Sequence, residues 1–486
     1  MINLCFFFLV QVTNYPQNAA WDRYTVVPPL GKVKAIAASI TQVFAISDNY
    51  LLVISKPQFA FEKAISFDDE PHLVGYDNYT NDLWIAGYEN IIRLTLPSYS
   101  LREYKLPFSV HRFAIDVSKV YMESAVNAGK YAIDKVTGAL SSVNFFPENL
   151  YWYGATALDD IRAYPFLAPY YYYDNMQFSQ IPFREYPITA VYDDGMYLYV
   201  GTDHYGLLKY NKTSWQNERI IYGPLDSSIR TVREYDEKVF FLSTAGISYY
   251  EAGSQHWQYL RLDNAMTDVV TVDSIIFLAS NNQVLRMSGT LEFPVGDFNT
   301  NVLALSSDSQ NIYVGTQSGL FVVNKHSSRI LPFGPDQYAV YCVYPTDEAI
   351  YVGGEFSLYK YARNRKEWTT LSNFGIKDIV GIEGNIYALG TNNQIMQFES
   401  PTGDSSVPDT GWILLPYFNI YDIDTDDRVL YCATYSGMYY YDPAASSYNV
   451  IYNLPRISYD YVYVIDEYIL AVSKNSMYLL PLEYRD

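Results

Sequence analysis

The chain has 486 residues, 49% of them apolar, which excludes general disorder and allows two cores of ordinary size. Its formal net charge of −20 is spread without any basic cluster, which argues against nucleic acid and anionic membrane as partners. Tyrosine stands out at 51 residues and points to strands, because aromatic and β-branched side chains fit a half-buried pleated surface.

The N-terminal run Met1-Ile-Asn-Leu-Cys-Phe-Phe-Phe-Leu-Val10 is too short to cross a bilayer and suits the apolar part of a signal peptide within residues 1–14. No Lys or Arg precedes it, and no small-x-small cleavage pattern follows before Asn18-Ala-Ala20, so a misassigned start or a truncated signal stands as the alternative. Almost no apolar run precedes Cys5, against a lipid-anchored reading. Next comes Trp21-Asp-Arg-Tyr-Thr-Val-Val-Pro-Pro29, a single strand ahead of the first repeat. It is expected to complete the last blade at the C-terminus, removing two open sheet edges, or alternatively to cap the first blade.

From there a phrase returns about every forty residues: an apolar strand ending in Gly-Thr or another small pair, a polar turn, and a second apolar strand. It is clearest in Leu198-Tyr-Val-Gly-Thr202 with Gly206-Leu-Leu-Lys-Tyr-Asn211. It returns in Ile312-Tyr-Val-Gly-Thr316 with Gly319-Leu-Phe-Val-Val-Asn324, and in Leu430-Tyr-Cys-Ala-Thr434 with Gly437-Met-Tyr-Tyr-Tyr-Asp442. The small pairs fall near Ala45, Gly87, Ser124, Ala163, Thr202, Thr244, Ser280, Thr316, Gly354, Thr391, Thr434 and Ser473, which makes about twelve repeats. The copy near Ala163 is degenerate, and its Tyr170-Tyr-Tyr-Tyr-Asp174 occupies the slot of Tyr439-Tyr-Tyr-Asp442, so that run reads as strand packing.

One repeat reads as four antiparallel strands: Ile188 to Tyr192, a turn at Asp193-Asp-Gly195, Tyr197 to Gly201, Leu207 to Tyr210, and Trp215 to Tyr222. Trp215, Trp257, Trp368 and Trp412 open fourth strands. Four such strands make a propeller blade, and about twelve blades exceed one ring, so the expected fold is all-β, with tandem β-propellers built from four-stranded blades. The division is expected at Asp263, giving propellers over 15–263 and 264–486, with a cut near Asn217 as the alternative.

Little chemistry is legible. His72, His111, His204, His256 and His326 show no metal-ligand spacing, and Cys5, Cys342 and Cys432 none either, so no metal or cofactor is expected. Cys342 and Cys432 replace apolar residues within strands and read as buried small hydrophobes. Asp422-Ile-Asp-Thr-Asp-Asp427 has the alternating carboxylates of a calcium loop but lacks its glycine and distal glutamate, and is read as a solvated hairpin turn. Asn78-Tyr-Thr80 and Asn211-Lys-Thr213 match the glycosylation sequon, which matters only in a secreted eukaryotic chain. No nucleophile elbow or phosphate loop is present, and catalytic residues are expected to be absent.

The turns between second and third strands of successive blades gather on one face, so their Asp203, His204, Tyr205, Asn281, Asn282, Asn392, Asn393 and Tyr435 are candidate ligand-binding residues, the amides bonding and the rings stacking. The plain alternative is that Asn and Asp stand there because they suit turns.

The three clear phrases, above all Tyr199-Val-Gly-Thr202 to Gly206-Leu-Leu-Lys-Tyr-Asn211, resemble the two-component regulator propeller repeat. In that family the repeats form extracytoplasmic sensor halves of bacterial histidine kinases and occur in secreted or surface proteins. The likeness is good in three repeats and loose elsewhere, and no kinase, immunoglobulin-like module or membrane helix follows the last repeat here. The resemblance implies a periplasmic or secreted propeller that binds a glycan, a peptide or an envelope protein as a sensor or scaffold, without nucleic acid or membrane insertion. The alternatives are a propeller-fold lyase or glycosidase, which a convergent pair of carboxyls with raised pKa would mark, and a structural part of an envelope or secretion assembly.

Overall fold

A computed structural model describes residues 12–14 and 24–486, except for 68, 155–187, 215, 227, 236–237, 244–245, 252–256, 261–265, 274, 289–290, 326–328, 335–337, 399–411, 417, 466, 475 and 486. The signal-peptide run, the degenerate repeat at Ala163, the Tyr170–Tyr173 run, Trp21 and Trp215 therefore lie outside them. The expected N-terminal strand forms over Thr25–Val27.

The protein is all-β, with antiparallel strands of three to seven residues, most of them in four-stranded sheets whose strands follow chain order. Among the described residues no helix is long and apolar enough to cross a membrane. The repeat read around residue 200 forms over Ile188–Asp193, Tyr197–Thr202, Leu207–Asn211 and Asn217–Ile220, each paired to the next. Two compact units divide between Gly223 and Pro224, a point that the expected cuts at Asn217 and Asp263 bracket.

In the first unit, sheets beginning at Ile188, Val33, Leu73 and Val110 stand side by side through their innermost strands. Val12–Asn14 pairs with the outer edge of one of these sheets, along Ser100–Lys105, and Trp152–Gly154 pairs with Val110–Ile115. In the second unit the innermost strands are Ile229–Tyr235, Met266–Val272, Val302–Ser307, Val340–Pro345, Ile376–Ile382, Ile420–Thr425 and Tyr461–Ile465. Each touches the next and the last touches the first, so the sheets close into a ring, as propeller blades do.

The recurring phrase has a physical cause. In the three clearest copies the threonine that ends the second strand donates its hydroxyl across the following hairpin: Thr202 to the Gly206 carbonyl at 2.7 Å, Thr316 to that of Gly319 and Thr434 to that of Gly437, both at 2.8 Å. The receiving glycines have φ of 89°, 126° and 145°, which side chains rarely adopt. The glycine before the threonine leaves room for the next sheet. A Cβ on Gly201 would lie 2.4 Å from Val33 Cγ1, and one on Gly315 would lie 2.8 Å from the Val340 carbonyl.

Between sheets the core is aliphatic and aromatic, for example Val302, Leu305, Ile312, Val314 and Val323 against Phe298. Tyrosines at one position of the second strand, Tyr199, Tyr313, Tyr387 and Tyr431, are buried, which accounts for part of the tyrosine excess.

Candidate functional site

Two places in the second unit concentrate groups that can meet a ligand. One is the end of the ring that carries the turns between second and third strands together with the links from each fourth strand to the next sheet. The other is the inner wall.

Antiparallel order alone fixes which turns share an end. On the first, Tyr338, Phe356, Phe374, Tyr435 and Tyr452 project with 55%, 53%, 52%, 60% and 65% of their surface exposed. Tyr338 and Phe356 meet edge to face at 5.3 Å, lining a shallow cleft with Gly334, Glu355, Ser357 and Tyr359. Around them stand Asn281, Asn282, Gln317, Asn373, Asn392, Asn393 and Asn419, with few charges. The opposite end is the reverse: its turns carry Asp273, Asp308, Asp347, Glu348, Arg363, Arg365, Lys366, Glu383, Asp426, Asp427 and Arg428.

The candidate residues from the sequence fall in both units. In the first unit, His204 stands at φ 60° in its turn and its Nδ1 contacts Asp203 Oδ1, while Tyr205 is buried under the Arg219 guanidinium, 4.3 Å from its ring centre. In the second, Asn281 and Asn393 hold left-handed backbone, φ 49° and 64°, where asparagine is favoured among side-chain-bearing residues. Their carbonyls accept from the next sheet, Val302 N–H to Asn281 at 2.6 Å and Ile420 N–H to Asn393 at 3.0 Å, and that of Asn282 accepts from Phe298 N–H at 2.7 Å in the link that leads there. Asn392 Oδ1 accepts from Gln394 N–H at 3.2 Å, and Asn393 bonds Asn419 and Lys377. These asparagines thus build the turns, while Asn281, Asn282 and Asn392 also keep exposed side chains, as does Tyr435.

The inner wall holds residues that the sequence reading passed over. Each innermost strand carries a bulge after its first residue, except the last, and the residue past the bulge is Thr231, Asp268, Ala304, Cys342, Asp378 or Asp422 in turn. A bulge re-aims the side chain that follows it. Asp422 and Asp424 therefore belong to a strand, not to the hairpin turn assigned from sequence, and only Asp426 and Asp427 sit in that turn. Asp268 Oδ2 accepts from Leu305 N–H at 2.8 Å, Asp422 Oδ2 from Val462 N–H at 2.9 Å and Asp424 Oδ2 from Val464 N–H at 2.7 Å. Each carboxylate thus satisfies an edge N–H of the neighbouring strand, which propeller geometry leaves unpaired.

Arg233 lies 3.5 Å from Asp268, and both Arg233 and Lys377 act on Asp378. Burial pushes the Asp378 carboxyl up to about 6, against the opposing pull of Arg233, and that of Asp424 up to about 7. Burial and the nearby Asp378 raise Asp422, and burial raises Asp268 despite Arg233. Burial likewise lowers Lys377, whose ammonium donates to Asn393 Oδ1 at 2.9 Å and the Tyr421 carbonyl at 2.7 Å. The clue available in the sequence was the aspartate at one repeat position in Thr267-Asp-Val, Lys377-Asp-Ile and Tyr421-Asp-Ile. Among the described residues no group of three His, Cys, Asp or Glu side chains has the arrangement to hold a metal ion.

No family model matches the chain, and no curated protein matches it in sequence. Solved structures do resemble it. The extracellular domain of BT4673 from B. thetaiotaomicron is 13% identical with a TM-score of 0.44, over 96% of this chain and 82% of that one. PorZ, a surface component of the type-IX secretion system of Porphyromonas gingivalis, is 11% identical at 0.37, over 95% and 81%. The WD40 β-propeller domain of Doa1 is 14% identical at 0.43, over 52% and 93%. Likeness at this level carries no argument about what the chain binds.

Proposed function

We propose that the second unit is a non-catalytic binding ring that takes a glycan or a peptide on its aromatic end, in a protein that works outside the cytoplasm as a sensor or scaffold. The observation that carries this reading is the set of five exposed rings, Tyr338, Phe356, Phe374, Tyr435 and Tyr452, on the sparsely charged end of an otherwise acidic chain. Exposed rings on a rigid frame bind at low entropic cost, and amides beside them supply directional bonds. The test is a glycan and peptide array probed with the full chain, followed by thermal shift with any hit. Saturable binding, lost in Tyr338→Ala with Phe356→Ala and unchanged in Asp347→Asn on the charged end, supports the reading. Binding that survives loss of both rings overturns it.

A second reading rests on a specific observation too. Carboxyls raised toward neutrality at Asp378 and Asp424, with Asp422 raised beside them, are the property a general acid requires. Their bonds to strand N–H groups favour a structural role, since a carboxylate that holds the ring together is not free to move a proton to substrate. Turnover of an array hit, abolished by Asp378→Asn, would decide for the enzyme.

A further inference from the structure

The first unit carries a different surface. At the end formed by its turns between first and second strands and between third and fourth strands, single apolar side chains stand at the tips. Ile40 is 91% exposed, Tyr79 57%, Val117 62%, Val136 84% and Met196 62%. They come from all four described sheets of that unit, which are neighbours in one array. The equivalent turns of the second unit hold Ser309, Asp347, Glu383 and Asp427 instead. At the opposite end of the first unit the turns hold Asp48, Glu89, Asp203 and His204 as well as the exposed Tyr88 and Val126.

Charge distinguishes this end further. Lys56 pairs with Asp194 at 2.7 Å, Lys212 with Asp193 at 2.6 Å, Lys135 with Asp77 and Arg93 with Asp82, both at 2.5 Å. Lys119 offsets Asp134, leaving Asp116 as the residual charge of these turns. In a chain of net −20, the described turns at this end are thus nearly neutral and studded with separate apolar tips. The tips stand on hairpin apices, one or two to a sheet, at one end of side-by-side sheets. A flat partner that accepts apolar side chains singly fits this better than a protein surface, which would need a matching recess for each.

We propose that this end of the first unit rests on a lipid bilayer, with Ile40, Tyr79, Val117, Val136 and Met196 entering the interfacial layer of a zwitterionic surface. Tyrosine suits that layer because its ring is apolar and its hydroxyl wet. The net charge of the whole chain, which argues against anionic membranes, averages over surface that this end does not share. The inference is independent of ligand binding by the second unit.

The test is sedimentation of the full chain with phosphatidylcholine vesicles, comparing it with the combined variant I40S, V117S, V136S and M196S. Wild type is expected to pellet with the vesicles and the variant to partition at least about tenfold less. A separate I40W variant, altered at a fully projecting side chain, is expected to fold normally and to shift its emission to shorter wavelength when vesicles are added. Wild type left in the supernatant, equal pelleting of the two proteins, or an unshifted I40W spectrum overturns the proposal. So does a vesicle-independent dimer of wild type that the combined variant dissolves, which would make the tips a contact between copies.

Discussion

The hydroxyl of Tyr313 donates to Asp308 Oδ2 at 2.6 Å, and Arg363 of the following sheet reaches the same oxygen at 2.8 Å. The knot recurs as Tyr431 to Asp426 at 3.0 Å with Arg485 at 3.2 Å, and Lys56 takes the cation's place at Asp194. A strand tyrosine, a turn aspartate and a neighbour's cation thus tie sheet to sheet. Tyr313→Phe keeps the buried ring and deletes one bond to a charged acceptor, so a loss of about 1–2 kcal/mol is expected in urea unfolding. Tyr387 is the internal control. Its hydroxyl occupies the same position, is buried, and has no hydrogen-bond partner among the described residues, because the turn there is Glu383-Gly384. Tyr387→Phe is expected to be neutral or slightly stabilising, and equal losses at the two sites would refute the role given to Asp308.

Asp308 also predicts acid sensitivity. Burial raises its carboxyl, but the Tyr313 hydroxyl, the N–H groups of Gln310 and Asn311, and Arg363 outweigh that and hold it below the ordinary value. A depressed carboxyl stabilises the fold above its unfolded pKa and loses that contribution as pH falls through the folded value. Asp308→Asn is therefore expected to lower the melting temperature at pH 7 and to narrow its difference from wild type below about pH 3.5.

The hairpin clamp is tested at Thr434. Thr434→Val keeps the branched shape and removes the hydroxyl that holds the Gly437 carbonyl at 2.8 Å inside the fold. The expected cost is about 1–2 kcal/mol, because the carbonyl loses a buried donor. A variant as stable as wild type would mean that the glycine conformation alone sets the turn.

Close approach of neighbouring sheets is tested at Gly315. The added methyl of Gly315→Ala would meet the Val340 carbonyl at 2.8 Å and Val340 Cγ1 at 2.9 Å, so the sheets must part. Overpacking of this kind costs about 1–3 kcal/mol. Val340→Ala in the same chain removes the Cγ1 contact and is expected to recover part of the loss, a coupling readable from a double-mutant cycle.

The repeat was legible because its signals are local. Thr202, Thr316 and Thr434 act within four residues of themselves, and Gly206, Gly319 and Gly437 meet a conformational demand in the same hairpin, so spacing alone exposes them. The aromatic end was half legible. Tyr435 and Phe356 follow from their places in turns between second and third strands, whereas Tyr338 comes from the link that precedes its sheet, and exposure and the contact between rings show only once the loops are folded. The inner wall was not legible as a cluster. Arg233, Asp268, Asp378 and Asp424 lie on four strands far apart in the chain and act on one another only when the ring closes.

That cluster makes the last prediction, opposite in sign to the one at Asp308. The carboxyls of Asp378, raised to about 6, and Asp424, raised to about 7, face Arg233 and Lys377 as cations and each other, Asp268 and Asp422 as like charges. In the unfolded chain they ionise near the ordinary value of about 4. A raised carboxyl favours the unfolded state progressively as pH climbs from the unfolded to the folded value, so their effect on stability is absent below about pH 4 and complete above about pH 7. Because these side chains keep partial contact with solvent, the effect is smaller than full burial would give. The wild-type melting temperature is expected to fall between pH 5 and pH 8, and Asp424→Asn, which still offers Val464 N–H an acceptor, is expected to flatten that slope. The Asp308 effect lies below this range and does not mask it. A wild-type slope that Asp424→Asn and Asp378→Asn both leave intact would mean that water in the ring solvates these carboxylates well enough to keep them ionised.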